Sequence, residues 1–496
     1  MAATDPRWRP PADAWTRRDA LRNGFGSFVA LAGLGALPRQ AGSSTVTSAA
    51  VRARARSPFT PFRRDLPLPA TLVPTRRTRH ADIYERTVTE GLTEILPGFQ
   101  TPIYGYDGVY PGATIRARSG RTVIVDQHNG LGFHTNVHLH GGHQPPRFDG
   151  HPMDLIDPGA TFRYRYPNDQ AGATLWYHDH AHGILHKTIY YGLAGLYLLE
   201  DDLERGLDLP RDEYDVPLLI QDRAFNRDGS LRYEENIDAG FLGDTILVNG
   251  AVAPRMRVQR RLYRLRLLNG SNARHYELRF GRGHRVHQIG GDGGLLERPI
   301  TRRTLSLSAG ERLDVLVDFS DFKPGTQVIL RNIAGEGSTV AVMRFDVERG
   351  GGRDPARIPR RMAHFDPVPA PQAQRNWVLT FEPSARQWQI NGKVWDATRV
   401  DCRPRLGTSE LWQWINRSHM MHPMHIHGCQ FRVVARSGSK LLRGDHGWKD
   451  IVRVDAGERV TVQPYITSHT GLYVFHCHML EHSSIAGMML QMEVTS

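Results

Sequence analysis

The sequence has few cysteines, and this scarcity excludes a fold held together mainly by disulfides. Only Cys402, Cys429 and Cys477 occur among 496 residues. Three thiols are too few for a disulfide framework. Cys477 stands between two histidines, so it is a candidate metal thiolate. Cys402 and Cys429 then remain as one bridge or as two free thiols, and the sequence leaves both open.

Long hydrophobic runs are also missing. One weakly apolar run covers residues 24–37, which is too short to cross a bilayer as a helix but is typical of the apolar part of an export signal. Thr16-Arg17-Arg18 precedes it, as in twin-arginine signals. We predict that residues 1–50 are such a signal and its arm. The mature protein would then have no membrane span and would lie in the periplasm, the cell envelope or outside the cell. The alternative is a disordered basic tail with a chance arginine pair.

The body of the chain carries little net charge. Residues 1–80 hold 14 Arg, no Lys and four acids, so they account for +10 of the formal net charge of +12. Residues 81–496 carry the remaining +2. This balance gives no sign of a nucleic-acid-binding face, and we predict no nucleic-acid partner. The oligomeric state does not follow from the sequence.

Long helical patterns are scarce, whereas the 49 glycines and 31 prolines favour a turn-rich, all-β fold. A threefold pattern runs through the body: an Asp/Asn-Gly turn, a strand, a strand that begins at a glycine, and a closing apolar strand. The turns are Asp107-Gly108, Asn249-Gly250 and Asn391-Gly392. Three β-sandwich domains of about 130–150 residues fit this pattern. We place them at residues 51–203, 204–355 and 356–496.

Histidine is plentiful, with 24 copies, and four short clusters each contain a His-x-His pair. Alternate side chains of an extended segment share a face, so each pair presents two imidazoles in one direction. A lone buried histidine is usually a core residue, but four pairs at equivalent places in repeated domains are not explained that way. The pairs are His138 and His140, His178 and His180, His425 and His427, and His476 and His478.

The distribution of these pairs predicts where a metal would lie. Two pairs fall in the first predicted domain and two in the third, whereas the second has His275-Tyr276-Glu277 at the matching place. We therefore expect metal between the first and third domains, with the second domain as a spacer that binds no metal.

The last cluster, residues 476–482 (HCHMLEH), adds a cysteine to its histidine pair. In an extended segment Cys477 faces away from His476 and His478, which suits two metal centres on opposite faces of one strand. A thiolate with imidazoles and a weak thioether is the ligand set of a blue copper site. The alternative is a structural zinc site or a buried thiol with unrelated histidines, although zinc favours paired spacings such as C-x₂₋₄-C. His422 and His482 remain as partners for Cys477.

The four clusters resemble the copper motifs of multicopper oxidases, and they occur in the same order: HLHG, WYHDH, HPMHIHG and HCHMLEH. Flanking segments such as PGFQTPIYGYDGVYPG and GDTILVNG are similar to spore-coat laccases, bilirubin oxidases and phenoxazinone synthases. The resemblance covers nearly everything from residue 60 to the end. It implies three cupredoxin-like Greek-key β-sandwiches and four copper ions, of which one is type 1, one type 2 and two type 3.

The resemblance also implies a ligand for each copper, carried over by position. The type 1 copper would bind His422, Cys477 and His482, with Met488 as the weak axial ligand. The type 2 copper would bind His138 and His425. The type 3 coppers would bind His140, His178 and His478, and His180, His427 and His476. Electrons would pass from Cys477 to His476 and His478. Asp149 would deliver protons or orient the water of the type 2 copper; its alternative role is a turn residue before Gly150.

The chain departs from the family pattern next to the second type 1 histidine. The axial methionine usually follows that histidine by five residues, but Gly487 stands there and Met488 comes one later. We expect a bulge to absorb the extra residue and to favour Met488 over Met489. Ser483 replaces an acid that the subgroup commonly has for proton supply.

The implied function is that of a laccase-like oxidase. Phenols, aminophenols or bilirubin-like compounds would lose single electrons at the type 1 copper, and the trinuclear cluster would reduce O2 to water. The alternative is a metal-ion oxidase for Cu(I) or Mn(II), although the absence of a methionine-rich segment speaks against Cu(I). A non-enzymatic cell-envelope relative is the third possibility, against which the intact ligand set speaks. We expect five further histidines to support the clusters or lie on the surface: His143, His151, His182, His186 and His419.

Overall fold

A computed structural model describes residues 60–350 and 354–496 and contains mostly strands. The predicted export signal lies outside these residues. Among the described residues, no helix is both long and apolar enough to cross a membrane. The helices are short: α1 (Leu185–Tyr191), α2 (Asp202–Arg205) and α3 (Leu480–Ser484). Single 3₁₀ turns occupy Pro146–Phe148, Asp212–Tyr214, Phe319–Asp321, Gly337–Val340 and Arg443–Asp445.

The first third of the described chain forms two sheets. One has the order β1-β2-β5-β7 with β3 paired to β2, and the other has the order β4-β9-β8-β6. The strands are β1 (Arg76–Arg77), β2 (Ala81–Thr93), β3 (Thr101–Tyr106), β4 (Gly112–Arg118), β5 (Thr122–Asn129), β6 (His138–His140), β7 (Thr161–Tyr166), β8 (Ala173–His178) and β9 (Ala194–Glu200).

The middle third forms a seven-stranded and a five-stranded sheet. Their orders are β12-β11-β10-β14-β19-β16-β17 and β13-β21-β20-β15-β18. The strands are β10 (Asp215–Arg223), β11 (Thr245–Val248), β12 (Ala251–Val252), β13 (Arg255–Val258), β14 (Leu262–Asn269), β15 (Tyr276–Phe280), β16 (Val286–Gly291), β17 (Gly294–Arg302), β18 (Leu305–Leu307), β19 (Arg312–Asp318), β20 (Gln327–Asn332) and β21 (Ala341–Val347).

The last third again forms two sheets, with the orders β23-β22-β24-β28-β26 and β27-β25-β29-β30. The second of these sheets carries the cysteine. The strands are β22 (Gln374–Glu382), β23 (Gln387–Ile390), β24 (Leu411–Asn416), β25 (His422–Ile426), β26 (Gln430–Arg436), β27 (Ile451–Val454), β28 (Arg459–Tyr465), β29 (Gly471–Cys477) and β30 (Met489–Val494).

The predicted threefold pattern is present in the strand pairing. In each third, the strand after the turn pairs in parallel with an earlier strand (β2 with β5, β10 with β14, β22 with β24). It then pairs antiparallel with the strand that begins near a glycine (β7, β19 and β28). Both residues of all three predicted Asp/Asn-Gly turns have positive φ, which is why short polar residues and glycine occupy them. Each third encloses its own apolar core, so the all-β, three-sandwich prediction is confirmed. The predicted boundary residues stay predictions.

A buried ionic cluster joins the first and middle sandwiches. Arg264 donates to Glu204 (2.6 Å), and Arg266 donates to Asp215 (2.7 Å). Asp314 accepts hydrogen bonds from Arg264 and from Thr174 of the first sandwich. All of these side chains are buried, so charges of both signs are held together in a dry contact. Such pairing sets the relative position of the two sandwiches, because an unpaired buried charge would be strongly destabilising.

Candidate metal centres

The first candidate centre lies on the Cys477 face of β29. Cys477 Sγ is 3.5 Å from His422 Nδ1 and 3.6 Å from His482 Nδ1, and the two Nδ1 atoms are 3.3 Å apart. All three side chains are fully buried. His422 begins β25, Cys477 ends β29 and His482 lies in α3, so three different elements bring the donors together. The structure thus groups these three predicted ligands.

Hydrogen bonds at the far side of each ring orient the two imidazoles of this centre. His482 Nε2 donates to the carbonyl oxygen of Asp238 (3.1 Å), which leaves Nδ1 as the free lone pair. His422 Nε2 lies 2.9 Å from Ser418 Oγ. Trp388 stacks on His482 with its ring centroid 4.5 Å away. Burial lowers the pKa of His482 to about 3, so this imidazole is neutral and needs no deprotonation before binding a metal.

The sulfur of Cys477 needs a cation to become a thiolate. Burial raises the pKa of the Cys477 thiol far above its ordinary value, and one main-chain donor, Met479 N at 3.4 Å, opposes this only in part. A thiol in such a place ionises when a metal ion supplies the balancing charge. The pocket therefore has the composition of a site for a soft, thiophilic metal.

Strand register determines which face of the sheet each methionine next to this centre occupies. His476 faces Met489 across the antiparallel pair β29 and β30, and the Cys477 amide donates to the carbonyl of Met488 (3.1 Å). Residues opposite one another in such a pair share a face. Met488 therefore lies on the Cys477 face and Met489 on the histidine face. Met488 belongs to the same apolar core as Cys477.

The extra residue between His482 and Met488 is accommodated by a helical turn. Helix α3 covers Leu480–Ser484, and Gly487 follows it with a φ of 86°, a value that favours glycine. The amide of Met488 then donates to the carbonyl of His482 (2.8 Å). The sequence predicted a β-bulge here. The structure accommodates the extra residue with a helical turn instead. Ser483 is buried, and its hydroxyl donates to the Leu480 carbonyl (3.4 Å).

The second candidate centre lies on the other face of β29, where eight imidazoles converge between the first and last sandwiches. All eight are buried. Strands β6 and β8 supply histidines from one side, and strands β25 and β29 supply histidines from the other. The structure thus brings together every His-x-His pair predicted from the sequence: His138, His140, His178, His180, His425, His427, His476 and His478.

The sequence predicts three subsets of these imidazoles, and the nitrogen atoms of one of them converge. Ring distances do not separate the other two, because His138 stacks on His427 at 3.9 Å and His140 stacks on His425 at 3.9 Å. The Nε2 atom of His476 lies 3.3 Å from that of His180 and 3.1 Å from that of His427. The rings of a second subset are 5.0–5.7 Å apart between centroids, and it consists of His140, His178 and His478. The third subset is His138 with His425, whose ring centroids are 5.8 Å apart.

Most of these rings have one nitrogen bound to the protein and one nitrogen free. His138 Nδ1 donates to the Asp149 carbonyl (2.6 Å), and His425 Nδ1 donates to the Asp450 carbonyl (2.8 Å). His178 uses its own neighbouring carbonyl in the same way (2.8 Å). Seven ring nitrogens of the eight histidines are buried without any partner among the described residues: His138 Nε2, His140 Nδ1, His178 Nε2, His180 Nδ1, His425 Nε2 and both nitrogens of His478. Buried acceptors without donors are rare, and inward-facing imidazole lone pairs fit bound metal ions.

Two buried carboxylates connect the rings. Asp149 Oδ2 accepts from His427 Nδ1 (2.7 Å), while its Oδ1 accepts from Gln144 (2.6 Å). Gly150 follows with a φ of 74°, and a Cβ there would lie 2.3 Å from the Val137 carbonyl, so the chain must turn tightly at this point. Asp149 thus occupies a turn, yet its carboxylate and its carbonyl each hold an imidazole. Burial raises the pKa of Asp149, which its polar neighbours offset in part.

Sequence reasoning missed the second carboxylate. Asp450 accepts from His140 Nε2 (3.1 Å), and its carbonyl holds His425. Arg312 of the middle sandwich donates to the same carboxylate (2.7 Å) and is itself fully buried. The middle sandwich therefore does more than separate the other two, because it fixes the acid that positions two of the imidazoles. No local motif marks Asp450, since its partners are 310 and 138 positions away.

Glu481 is another buried acid that the sequence did not single out. Its Oε1 accepts from Tyr233 OH (2.7 Å) and from Asn272 Nδ2 (2.9 Å), and its Oε2 has no partner among the described residues. Glu481 precedes His482, and both of its partners belong to the middle sandwich or its leading segment. The only signal for it was its place inside the HCHMLEH cluster.

The remaining cysteines and histidines are apart from both centres. Cys402 and Cys429 are buried free thiols, so no disulfide joins them. His186 contacts Ser484 Oγ (2.8 Å), and His151 contacts Gln491 (2.8 Å). Within the described ranges, none of the five additional histidines joins a group able to hold a metal ion.

Comparison with known proteins accounts for this pair of centres. Family models described as multicopper oxidase match residues 87–204, 221–344 and 367–496. The chain is 35% identical to a laccase of Bacillus subtilis (strain 168) over 87% of this chain and 98% of the relative. It is 33% identical to a bilirubin oxidase of Albifimbria verrucaria over 80% and 74% of the two chains. A laccase structure from Pediococcus acidilactici superposes with a TM-score of 0.82, is 33% identical, and matches 88% of this chain and 96% of its own.

These matches reach across all three sandwiches and include both candidate centres. The sandwiches are cupredoxin-like, as the solved relatives are. The family binds copper, and the buried cysteine and histidine donors are the residue types that copper requires. The chain belongs to the multicopper oxidase family and is an oxidoreductase.

Proposed function

We propose that this chain is a laccase-like oxidase that takes single electrons from phenolic, aminophenolic or bilirubin-like compounds and reduces O2 to water. The observation that carries the proposal is the pair of buried donor sets on opposite faces of β29, with ring nitrogens that lack protein partners. Four bound copper ions, in the 1 + 1 + 2 arrangement, supply the one-electron and four-electron chemistry. Everything else at the site is done by the residues of the chain.

We assign His422, Cys477 and His482 to the type 1 copper. Met488 is the axial ligand in this proposal, because it shares the Cys477 face of the sheet, whereas Met489 lies on the opposite face. The two Nδ1 atoms and the sulfur are held before any metal binds, since each far ring nitrogen is already engaged. This preorganisation keeps the ligand geometry constant while the metal changes oxidation state.

We assign the eight imidazoles to the trinuclear cluster. The type 2 copper takes His138 and His425, and one type 3 copper takes His180, His427 and His476, whose Nε2 atoms already converge. The other type 3 copper takes His140, His178 and His478. His140 contributes Nδ1 in this assignment, because its Nε2 is occupied by Asp450.

The two centres are connected through the main chain. Cys477 lies between His476 and His478 in sequence, and His476 Nδ1 also donates to the Cys477 carbonyl (2.9 Å). Electrons leaving the sulfur therefore reach either imidazole through a few covalent bonds. The hydrogen bond from His476 adds a second, shorter connection.

Asp149 has a positioning role and a proton-handling role in this proposal. Its carboxylate holds His427 and its carbonyl holds His138, so it touches ligands of two different coppers. Reduction of O2 to water consumes protons, and a buried carboxyl with a raised pKa is suited to carry one. No acid stands at Ser483, which leaves Asp149 as the acid nearest to these ligands that sequence reasoning identified.

Donors reach the type 1 centre from the side of the Asp238 segment. His482 is fully buried, its Nε2 donates to the carbonyl of Asp238, and the side chain of Asp238 pairs with His419 at the surface. Their side chains are 60% and 58% exposed and form an ion pair at 3.2 Å. His419 in turn packs 5.6 Å from Trp388, which stacks on His482. An aromatic electron donor bound beside His419 lies next to Trp388, whose ring stacks on the proposed copper ligand His482.

The same pair favours metal-ion oxidation as the second candidate function. A carboxylate and an imidazole at the surface, next to a type 1 ligand, are the donor types that suit Mn(II) or a copper ion. Asp238→Asn combined with His419→Gln separates the two functions. If metal ions are the donors, this variant loses uptake of O2 with Mn(II) or Cu(I) and keeps uptake with an aminophenol.

The main test is direct. The purified protein is loaded with copper, its visible absorption is recorded, and O2 consumption is followed with an aminophenol, a phenol, bilirubin, Mn(II) and Cu(I) in turn. The proposal expects a blue protein with four coppers and O2 consumption with the organic donors. A copper-loaded protein that stays colourless, or that consumes O2 with none of the organic donors, contradicts it.

A further inference from the structure

A cleft lies between the middle and last sandwiches, apart from both metal centres. Its volume is about 670 Å³. Strand β17 and the loop after it line one side, and the segment around the 3₁₀ turn Arg443–Asp445 lines the other. Six arginines and three acids contribute to the wall: Arg285, Arg302, Arg303, Arg436, Arg443, Arg453, Glu277, Glu311 and Asp445.

All three acids of this wall already have cationic partners: two pair with arginines of the wall and the third pairs with Lys449. Asp445 pairs with Arg436 (2.8 Å) and Glu277 with Arg453 (3.5 Å). Glu311 pairs with the buried ammonium group of Lys449 (3.0 Å). The negative charge of the wall is therefore already balanced by these partners. No carboxylate of the wall remains to pair with the other guanidinium groups.

Four arginines of the wall have no carboxylate partner among the described residues. Arg303 and Arg443 donate only to main-chain carbonyls, those of Gly283 and Thr301. Arg285 makes no side-chain hydrogen bond or ion pair within the described ranges. The fourth, Arg302, donates to the Thr304 carbonyl and to Gln288. The cleft therefore gathers an excess of positive charge.

Of the four arginines, Arg302 gives the strongest support for an anion site because it is buried. Only 8% of the residue is exposed, yet its two protein acceptors are neutral. Burial lowers the pKa of Arg302 and the charge of Arg443 lowers it further, while Glu277, Glu311 and Asp445 oppose this without contacting the guanidinium. A buried guanidinium that contacts no anion is unfavourable, and an anion bound in the cleft beside Arg302 would remove this cost. A Cβ on Gly444 would lie 3.8 Å from Arg302 Nη1, so the loop with Arg443 passes directly by this charge.

We propose that this cleft binds a small polyanion with at least two phosphate groups. The planar guanidinium fork matches the oxygens of phosphate in pairs, and arginine is preferred to lysine for such recognition. One phosphate fills only a small part of about 670 Å³, and four unpaired cations exceed the charge of one phosphate. A ligand with two phosphate groups spaced by a short carbon chain satisfies both the volume and the charge.

The wall of the cleft also connects to the imidazole cluster. Lys449 pairs with Glu311 at the cleft and with Asp292 behind it (2.9 Å). Asp292 accepts from the amide of Arg312 (2.8 Å), and Arg312 holds Asp450. The cleft joins two sandwiches through this chain of buried charges, so a bound polyanion ties them together and raises the unfolding temperature.

The test uses the copper-loaded full chain and isothermal titration calorimetry at constant ionic strength. Fructose 1,6-bisphosphate is the probe, because its separate phosphate monoesters bind copper weakly. Inorganic phosphate, sulfate and the tricarboxylate tricarballylate are compared with it. Copper content is measured before and after each titration, so that removal of the metal is not taken for binding. We expect one site per chain, with the bisphosphate bound more tightly than inorganic phosphate or sulfate.

Two variants remove the cleft's charge without touching a metal centre. Arg285→Gln with Arg443→Gln deletes two exposed cations and should weaken bisphosphate binding about tenfold per guanidinium. Gly444→Asp places a carboxylate beside Arg302 and should abolish binding by acting as an internal competitor. Arg331→Gln, an exposed arginine of the same sandwich outside the cleft wall, is the matched control and should bind as the parent does.

The outcomes separate cleanly. Absence of bisphosphate binding to a copper-replete, folded parent overturns the proposal, and so does binding that the cleft variants leave unchanged. Tighter binding of tricarballylate than of the bisphosphate overturns the assignment to phosphate chemistry. Because the readout is heat of binding and unfolding temperature, the result does not depend on oxidase activity.

Discussion

The two faces of β29 show how one strand supports two different metal chemistries. On the Cys477 face, one sulfur and two Nδ1 atoms lie within 3.6 Å of one another inside a single sandwich. On the opposite face, His476 and His478 meet six imidazoles from two sandwiches, held by main-chain carbonyls and two carboxylates. Side-chain alternation separates soft sulfur from an all-nitrogen set at a distance of one residue. In the proposed function, adjacent residues thus serve electron entry and O2 reduction at separate metals.

Replacement of the Cys477 sulfur should have the largest effect on the difference between the two faces of β29. Cys477→Ser removes the only thiolate donor while preserving size, so the blue colour and the turnover of organic donors should fall to background. The eight imidazoles on the other face should keep three coppers, as measured by metal analysis, and thermal unfolding should stay close to that of the parent. Turnover that survives in this variant refutes the proposed path from Cys477 to the cluster.

Removing the support from the middle sandwich should have the largest effect on stability. Arg312→Ala leaves Asp450 buried without its cation, whereas Asp292 keeps Lys449, and loss of one partner of a buried pair costs about 3–5 kcal/mol. The midpoint of denaturant unfolding measures this loss. Arg331→Ala, on the exposed side of the same sandwich, is the control, and a change within about 0.5 kcal/mol is expected for it. Equal effects of the two variants contradict the supporting role of Arg312.

The acids that orient the imidazoles sharpen the comparison further. Asp149→Asn and Asp450→Asn preserve shape but weaken the hold on His427 and His140, so copper affinity at the cluster or O2 turnover should fall about 10–100-fold. The blue colour should remain, because neither acid contacts the Cys477 face. During turnover the colour should bleach, since electrons enter faster than they leave. Asp169→Asn, at an exposed acid, should behave as the parent; loss of colour in the Asp149 or Asp450 variant contradicts the separation of the faces.

The smallest expected effect distinguishes the two methionines. Met488→Leu is a nearly volume-conserving change costing under about 1.5 kcal/mol, but it removes the thioether on the Cys477 face and should alter the visible spectrum and the reduction potential. Met489→Leu lies on the other face and should leave both unchanged. A spectral change in Met489→Leu alone reverses the assignment.

Local sequence features predicted most of the fold. The Asp/Asn-Gly dipeptides predicted three tight turns, and all three have the positive φ values that such residues tolerate. The predicted strand after each turn and the predicted strand that begins near a glycine are both present in each third, where they pair with each other. These signals depend on backbone conformation within a few residues, which is why they can be read without tertiary information.

Contacts between distant residues were not predicted in the same way. Asp450 reaches His140 across 310 positions and Arg312 across 138, and no local pattern distinguishes it from an ordinary acid before a strand. The bulge expected before Met488 is a helical turn instead, because α3 (Leu480–Ser484) packs against α1 through Leu480 and ends before Gly487. Net charge was equally uninformative about the arginine cleft. A body of +2 overall still gathers four unpaired guanidinium groups in one place, since the total charge ignores position.

The sequence by itself determined the donor types, the alternation that puts Cys477 opposite its neighbouring histidines, and the repeat that places histidine pairs only in the first and last sandwiches. Those properties follow from the periodicity of a strand. The tertiary structure alone decided which imidazoles lie beside one another, which ring nitrogens have no protein partner, and which buried charges hold the rings. These depend on packing between sandwiches, where the carboxylate of Asp450 meets His140 across 310 positions and Arg312 across 138.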